Sequence, residues 1–388
     1  MFCCALLCQM FNCNIHKAPF LNHCLLSIAS LGLLLLIMLT AGNYPEWVEH
    51  YYSQTVYHLI SQLWHFLLSW LPFSLGDVFY VIVIICLLHI SWKLLCYGMH
   101  KQLKYIGKAV LNLTVGIQLF IIAFYLLWGM NYFRPPAAKL LQLPVGTYTL
   151  SELQAITTLI IDSANASRAT LTTAQLNTQN AVIYQKAALA IQHIGSEHPA
   201  LQSFYPTVKP SMFTPLLNYL GTAGYFNPFS SEAQINYEMP LVNRPVTACH
   251  EMAHQIGFAR EDEANFVGFI AGIQSPDRLL RYSAYYLAMD ELMHQVHQRD
   301  TLVFHELKKR ISIPVSADLK AERLYWLHYQ NQLGRLSSLF YDRFLKINNQ
   351  PEGLRTYNRM INLTIAYYRS GKKLGNGNWK SIKYVNPN

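Results

Sequence analysis

The chain has 388 residues, of which 52% are hydrophobic and only 13% are charged, and its formal net charge is +9. This composition is too apolar for an ordinary soluble protein, so we expect part of the chain to lie in lipid. The positive charge could indicate nucleic acid binding. However, the cations after residue 130 are mostly scattered and no DNA or RNA motif accompanies them, so no nucleic acid partner is predicted.

Three apolar runs predict three transmembrane helices, near residues 24–42, 78–97 and 109–130. Each run approaches or reaches the roughly 20 residues that a helix needs to cross a bilayer. The first run lacks a convincing cleavage site and two more follow, which favours an uncleaved anchor over a signal peptide. Residues 43–77 mix aromatic and polar side chains, which indicates a segment at the membrane interface or packed on the extramembrane part. Residues 1–130 are thus predicted to form an α-helical membrane anchor.

The distribution of cations predicts the orientation of this anchor. Lys101, Lys104 and Lys108 lie between the second and third runs, whereas residues 43–77 contain no Lys or Arg. By the positive-inside rule the lysine-bearing loop is cytoplasmic, and everything after residue 130 is outside. We therefore expect a multi-pass protein of a bacterial inner (cytoplasmic) membrane, with its C-terminal domain facing the periplasm.

Residues 131–388 are predicted to form this extracytoplasmic domain, which is mainly α with a smaller β part. Residues 131–146 contain Pro135 and Pro136 and predict an extended linker. A capping box at Ser151 and Gln154 predicts a helix to about residue 165. The other elements predicted along the chain are a helix at 179–194, a short strand at 233–239, a motif helix followed by a helix from about 262, and helices near 276–310, 318–347 and 354–369.

The stretch "CHEMAHQIGFAREDEANF", residues 249–266, contains an H-E-x-x-H pattern. His250 and His254 are four residues apart, so in a helix both imidazoles lie on one face and can bind one metal ion. Glu251 stands beside them, where a general base can act on water. Gly257 follows His254 by three positions, where a helix can end. The predicted cofactor is zinc, which needs a third protein ligand and leaves a fourth position for water.

The third ligand is sought among Glu261, Asp262 and Glu263. Glu261 is favoured because Asn265 lies four residues further along the same helix face and could hydrogen-bond a metal ligand. Glu263 remains the alternative, and it points roughly 200° around the helix from Glu261.

The segments "HEMAH" and "EDEANF" resemble the gluzincin metallopeptidases, in which a glutamate in an E-x-x-A/S-D/N context supplies the third zinc ligand. The E-x-x-A-N part is also similar to that of ImmA/IrrE-type peptidases. The spacing from His254 to Glu261 is much shorter than in thermolysin-like enzymes. The pattern also resembles the start of the metzincin motif, but the third histidine of that motif would fall on Arg260, which cannot be a ligand.

Over a longer stretch, "WGMNYFRPP", "GYFNPFSSEAQINY" and the motif resemble a family of largely uncharacterised bacterial membrane proteins, common in Bacteroidetes, with a zincin-like domain. The resemblance implies a zinc-peptidase fold. It implies neither a substrate nor an activity.

Together these features predict a membrane-anchored zinc metallopeptidase that hydrolyses a peptide or protein substrate, with Glu251 as the general base. The strand at residues 233–239 would bind an extended substrate through main-chain hydrogen bonds, or it is an ordinary edge strand. The motif lies about 120 residues beyond the last apolar run, which argues against an intramembrane protease. The alternative function is a non-catalytic, zincin-derived membrane sensor or scaffold. Oligomeric state and cleavage specificity do not follow from the sequence.

Overall fold

The computed structural model describes residues 18–203, 205–348, 350 and 357–371. The outer ends of the two predicted regions, residues 1–17 and 372–388, therefore lie outside the described residues. Most of the described chain is helical. Its helices in chain order are α1 (Ala18–Asn43), α2 (Tyr57–Leu68), α3 (Leu75–Met99), α4 (Leu103–Leu127), α5 (Leu150–Ala169), α6 (Asn180–Glu197), α7 (Thr214–Leu220), α8 (Arg244–Gln255), α9 (Glu261–Gln274), α10 (Arg278–Arg299), α11 (Thr301–Arg310), α12 (Ile313–His328), α13 (Gln332–Ile347) and α14 (Tyr357–Ser370).

Three of these helices are long and apolar enough to cross a membrane, which confirms the three predicted apolar helices. The apolar helical segments are Asn22–Asn43, Leu75–Met99 and Leu103–Leu127. The third ends three residues before the predicted limit, because the chain leaves helical geometry at Trp128 and continues as a 3-10 turn. These helices are compatible with a membrane anchor.

Helix α3 begins directly on the part of the protein outside the three apolar helices, which we call the extramembrane part. Ser74 caps it by accepting from the backbone N–H of Asp77 at 3.0 Å. The Glu232 carboxylate accepts from the backbone N–H of Gly76 at 2.7 Å and from Lys209 Nζ at 2.7 Å. A carboxylate at a helix N-terminus is favoured by the helix dipole. The first turn of this apolar helix is therefore held by the buried Lys209–Glu232 ion pair.

Residues 43–77 pack on the extramembrane part, one of the two placements that their sequence predicts. They contain a π-helical segment, Val48–Val56, that leads into α2. The Tyr57 hydroxyl donates to the Gln255 carbonyl at 2.7 Å. Glu49 accepts two hydrogen bonds from the Arg134 guanidinium, at 2.6 and 2.9 Å.

The prediction of an extended linker at residues 131–146 is wrong. The segment forms a 3-10 turn, Gly129–Phe133, and a helical turn, Ala137–Leu140. Arg134 is buried despite its charge because Glu49 accepts from its guanidinium, and its Nη1 also donates to the Ile256 carbonyl at 3.0 Å. These contacts attach the segment after α4 to the extramembrane part.

The sheet has three short strands, β1 (Val208–Pro210), β2 (Gly224–Asn227) and β3 (Glu232–Ile235). Their order is β1-β3-β2, with β1 parallel and β2 antiparallel to β3. The predicted strand at 233–239 corresponds to β3, but β3 is shorter and central, with both of its edges paired. Strand β2 forms one edge of the sheet.

The capping residues place several helices differently from the prediction. The capping box of α5 is formed by Thr149 and Glu152, not by Ser151 and Gln154, and α5 continues to Ala169. The two longest predicted helices each break in two because Asp300 and Asn331 cap new helices with their side chains, which starts α11 and α13.

The hydrophobic core lies between α8, α9 and α10, with α5, α6 and α14 packed around them. Helix α8 also packs against β2 and β3. The largest side chains that this core buries completely include Phe258, Phe266, Phe269, Ile156, Ile160 and Ile191. The H-E-x-x-H motif thus lies on a central, largely buried helix, next to the edge strand.

Candidate metal centre

The motif helix α8 starts with Pro245 in its first turn and ends at Gln255. Gly257 follows with a φ of 89°, the left-handed conformation that glycine adopts without strain, as the sequence predicts. Ala248 and Met252 bury one side of the helix completely. The chain can then turn back within five residues, and α9 begins at Glu261.

Three potential ligand atoms meet where the two helices approach each other. The Nε2 atoms of His250 and His254 are 3.1 Å apart. The Glu261 carboxylate oxygens lie 3.3 Å from His250 Nε2 and 3.7 Å from His254 Nε2. A tetrahedral zinc ion with bonds of about 2.0–2.1 Å holds its ligand atoms about 3.3 Å apart. The spacing therefore fits a zinc ion bound by two imidazoles and one carboxylate.

The opposite ring nitrogen of each histidine is held by an acceptor. His250 Nδ1 lies 2.7 Å from Asn265 Oδ1, and His254 Nδ1 lies 2.7 Å from the carbonyl oxygen of Phe258. Because both oxygens can only accept, each Nδ1 carries a proton, so Nε2 is the nitrogen of each neutral ring that offers its lone pair to the centre of the cluster. This is the tautomer that a metal requires, and such contacts orient metal ligands.

Glu263 points away from this cluster. Its carboxylate accepts from the backbone N–H of Ala137 at 2.8 Å and lies 3.6 Å from the Arg260 guanidinium. Among the described residues, His250, His254 and Glu261 form the one group of His, Cys, Asp or Glu side chains arranged to hold a metal ion.

Glu251 is buried and packs against the edge strand β2. A Cβ atom built on Gly224 would lie 2.6 Å from Glu251 Oε1 and 2.8 Å from the Gln234 carbonyl oxygen. Any side chain at residue 224 would therefore displace the carboxylate. The glycine lets β2 run directly past the general base predicted from the sequence.

The electrostatics of the cluster are those of a buried ion pair. Burial lowers the pKa of His250, but the hydrogen bond to Glu261 and the charges of Glu251 and Glu261 outweigh it and raise the pKa to about 9. Burial raises the pKa of Glu261, but both histidines outweigh it and lower the pKa to about 2. Burial lowers the pKa of His254 to about 4 and raises that of Glu251 to about 8. Without a metal ion, His250 therefore holds a proton at neutral pH that a metal must displace.

The end of α8 is held by three side chains from an earlier part of the chain, residues 57–134. Its last carbonyls, which have no partner within the helix, accept from three donors. Trp128 Nε1 donates to the His254 carbonyl at 2.9 Å. Tyr57 and Arg134 donate to the next two carbonyls, those of Gln255 and Ile256.

Sequence reasoning missed one further contact of the cluster. The Tyr341 hydroxyl, from α13, donates to Glu261 Oε1. It could not be found from spacing, because 80 residues separate the two side chains.

Cys249 and the other histidines of the extramembrane part add nothing to this cluster. Cys249 is fully buried, and burial raises the pKa of its thiol well above the ordinary value, as for an inert core residue. His294 lies within hydrogen-bond distance of Gln298 on an exposed part of α10, and His297 packs against Phe304.

Residues 52–365 match a family model described as "Protein of unknown function (DUF3810)". The chain belongs to this family. The match starts inside the segment before the second apolar helix and includes the second and third apolar helices and the whole candidate metal centre. Comparisons with curated proteins and with solved structures found no significant match.

Proposed function

We propose that this protein is a membrane-anchored, zinc-dependent metallopeptidase. The observation that carries the proposal is the meeting of His250, His254 and Glu261 at zinc-ligand spacing, with Glu251 beside them on the same helix. The free carboxylate favours an enzyme over a scaffold, because a purely structural zinc site needs no general base. The zincin-like character of the domain is part of the same proposal.

The roles of the residues follow from their contacts. The two Nε2 atoms and the Glu261 carboxylate would hold the ion, while Asn265 and the Phe258 carbonyl orient the rings. Zinc supplies a Lewis acid that polarises the substrate carbonyl and lowers the pKa of water. Glu251 accepts the proton of the attacking water at its carboxylate and delivers it to the leaving amine.

The substrate strand differs from the one predicted. Strand β3 cannot bind a peptide through its main chain because β1 and β2 occupy both of its edges. Strand β2 has no further strand on its outer edge among the described residues. It runs past Glu251 at Gly224 and past His254 at Phe226, where the two rings are 6.5 Å apart. In the proposed enzyme, an extended substrate pairs with β2.

We assign the protein to a bacterial inner membrane with the metal centre on the periplasmic side. Lys101, Lys104 and Lys108 lie at the end of α3 and the start of α4. Helix α3 is about 37 Å long at 1.5 Å per residue, so these lysines lie far from the end that docks on the sheet. A reporter fused after residue 388 should be active in the periplasm, and activity confined to the cytoplasm would reverse the orientation.

The decisive experiment measures metal content and peptide hydrolysis in the purified full-length protein and in matched variants. We expect about one zinc per chain in the wild type and in Glu251→Gln, with hydrolysis of an unfolded protein lost only in the latter. His250→Ala and Glu261→Gln should lose zinc, whereas Glu263→Gln, two positions away, should keep it. Each variant is checked for folding by circular dichroism.

Two results would refute the proposal. Folded wild-type protein that binds no zinc after reconstitution would remove the site. Zinc binding without hydrolysis of any unfolded protein, whether free or attached to the membrane, would leave the non-catalytic sensor or scaffold.

A further inference from the structure

The candidate metal centre lies at the ends of the apolar helices. Trp128 is the first residue after α4, and its indole ring lies 6.0 Å from the His254 ring in addition to donating to the His254 carbonyl. Although 126 residues separate Trp128 from His254 along the chain, the two are neighbours in space. Separation along the chain therefore does not measure how far the motif lies from the ends of the apolar helices.

The edge strand β2 is tied to the ends of two apolar helices. Tyr225 donates to Asp77, which lies in the first turn of α3. The next residue, Phe226, packs against Trp128 with ring centroids 5.1 Å apart. A peptide that pairs with β2 therefore runs along the surface where the membrane would end.

Helix α13 continues this surface on the other side of the metal centre. Its C-terminal end is attached to the last turn of α4, because Tyr125 donates to Asn348 at 2.9 Å and Phe344 packs on Phe124. Its N-terminal part packs on the end of α7. Between these attachments, Tyr341 contacts Glu261.

The outer side of α13 is apolar and exposed. Five of its large apolar side chains are between 50% and 68% exposed, namely Leu333, Leu336, Leu339, Phe340 and Ile347. Leu336 and Phe340 also line an open, almost wholly apolar cavity of about 480 Å³ next to Tyr341. An amphipathic helix joined to the end of a spanning helix is the arrangement expected of an element that lies in the lipid headgroup region.

We propose that the metal centre works in the membrane surface, and that its substrates are proteins anchored in the same membrane and cut in the segment next to their anchor. This inference rests on the proposed peptidase function. Strand β2 and α13 enclose the metal centre from two sides, and both are attached to span ends. A chain that emerges from the bilayer therefore meets β2 within its first few residues, whereas a soluble protein must bring an unfolded segment down to the lipid.

The position of α13 can be tested without any substrate. The full-length protein is placed in phospholipid nanodiscs with the photoreactive residue p-benzoylphenylalanine at position 340, or at position 335 as the control. Arg335 is exposed and lies about 140° around the helix from Phe340. We expect phospholipid adducts by mass spectrometry at least fivefold more abundant at position 340. Equal adducts at both positions, or a crosslink from 340 to a second copy of the chain, would overturn the membrane placement.

The substrate class is tested with one polypeptide in two forms. Casein with a single added terminal cysteine is either left free or coupled to a maleimide lipid in the vesicles that hold the zinc-loaded protein, with Glu251→Gln as the blank. We expect the coupled form to be cut at least tenfold faster, within about ten residues of the lipid. The cut positions separate this inference from a local concentration effect, because tethering alone accelerates cleavage along the whole reachable chain.

The outcomes distinguish the two proposals. Equal rates for both forms, or cuts spread along the coupled chain, would overturn the inference and leave the peptidase function in place. Failure of the zinc-loaded wild type to cut either form above the blank would refute the peptidase function, and the inference with it. Lipid adducts at position 340 would still report the position of α13 in that case.

Discussion

The hydrogen bond from His250 to Asn265 should control how tightly the protein binds zinc. Asn265 is buried, and its Oδ1 lies 2.7 Å from His250 Nδ1. Asn265→Leu keeps a similar volume but removes the acceptor. The imidazole is then free to place its proton on Nε2, the tautomer that cannot bind a metal, and its buried Nδ1 loses its partner. Losing such an outer contact typically weakens metal binding about 10- to 100-fold.

This range corresponds to roughly 1.4–2.7 kcal/mol, which agrees with the roughly 1–3 kcal/mol needed to bury an unsatisfied polar group. Zinc affinity is measured at pH 8 by competition with a chelating dye, and folding by circular dichroism. Phe258→Leu is the matched control. It leaves the backbone carbonyl that holds His254 in place, so the zinc affinity should stay within about threefold of wild type. An Asn265→Leu variant that binds zinc as tightly as the wild type would refute the assigned tautomer.

Three further predictions concern pH, the edge strand and the anchor. Zinc binding should release protons at pH 7, and the apparent zinc affinity should increase as the pH rises from 6 towards 9, because the pKa of His250 is raised to about 9 without metal. Calorimetry in buffers of different ionisation enthalpy measures the proton release. A pH-independent affinity would contradict this prediction. Gly224→Ala should keep zinc, but its rate of peptide hydrolysis should fall at least tenfold, since the new Cβ would displace Glu251. An unchanged rate would argue against Glu251 as the base. Glu232→Gln should lower the free energy of unfolding, measured with a denaturant, by about 3–5 kcal/mol, because Lys209 would remain charged and buried. A change below about 1 kcal/mol would show that the Lys209–Glu232 ion pair does not stabilise the anchor.

The parts of the structure that the sequence predicts are those set by neighbouring residues. Hydropathy predicts the three apolar helices, because their length and composition suffice. Glycine at residue 257 predicts the end of α8, because the turn needs a positive φ. The same reasoning fails for the capping box of α5, where Thr149 and Ser151 both offer a hydroxyl near the helix start, and only the observed hydrogen bonds distinguish them.

The parts that the sequence does not predict depend on distant contacts. Residues 131–146 have the composition of a linker, yet Arg134 is buried because Glu49, 85 residues earlier, pairs with it. Strand β2 was missed because a four-residue strand beginning with glycine carries little periodicity. The placement of the metal centre beside Trp128 depends on an indole hydrogen bond that no local pattern encodes.

The short spacing from His254 to Glu261 sets this site apart from the thermolysin-like pattern, and the geometry explains why it can still provide a third ligand. Helix α8 ends one residue after His254, and the Gly257 turn brings α9 back against it. The first residue of α9 is then Glu261, and its carboxylate meets both imidazoles. Glu263 lies roughly 200° away around α9 and instead contacts the segment after the last apolar helix. A longer connection is thus unnecessary, since a tight turn places the start of the second helix beside the end of the first. Helical periodicity alone then separates the candidate ligand Glu261 from its neighbouring acids.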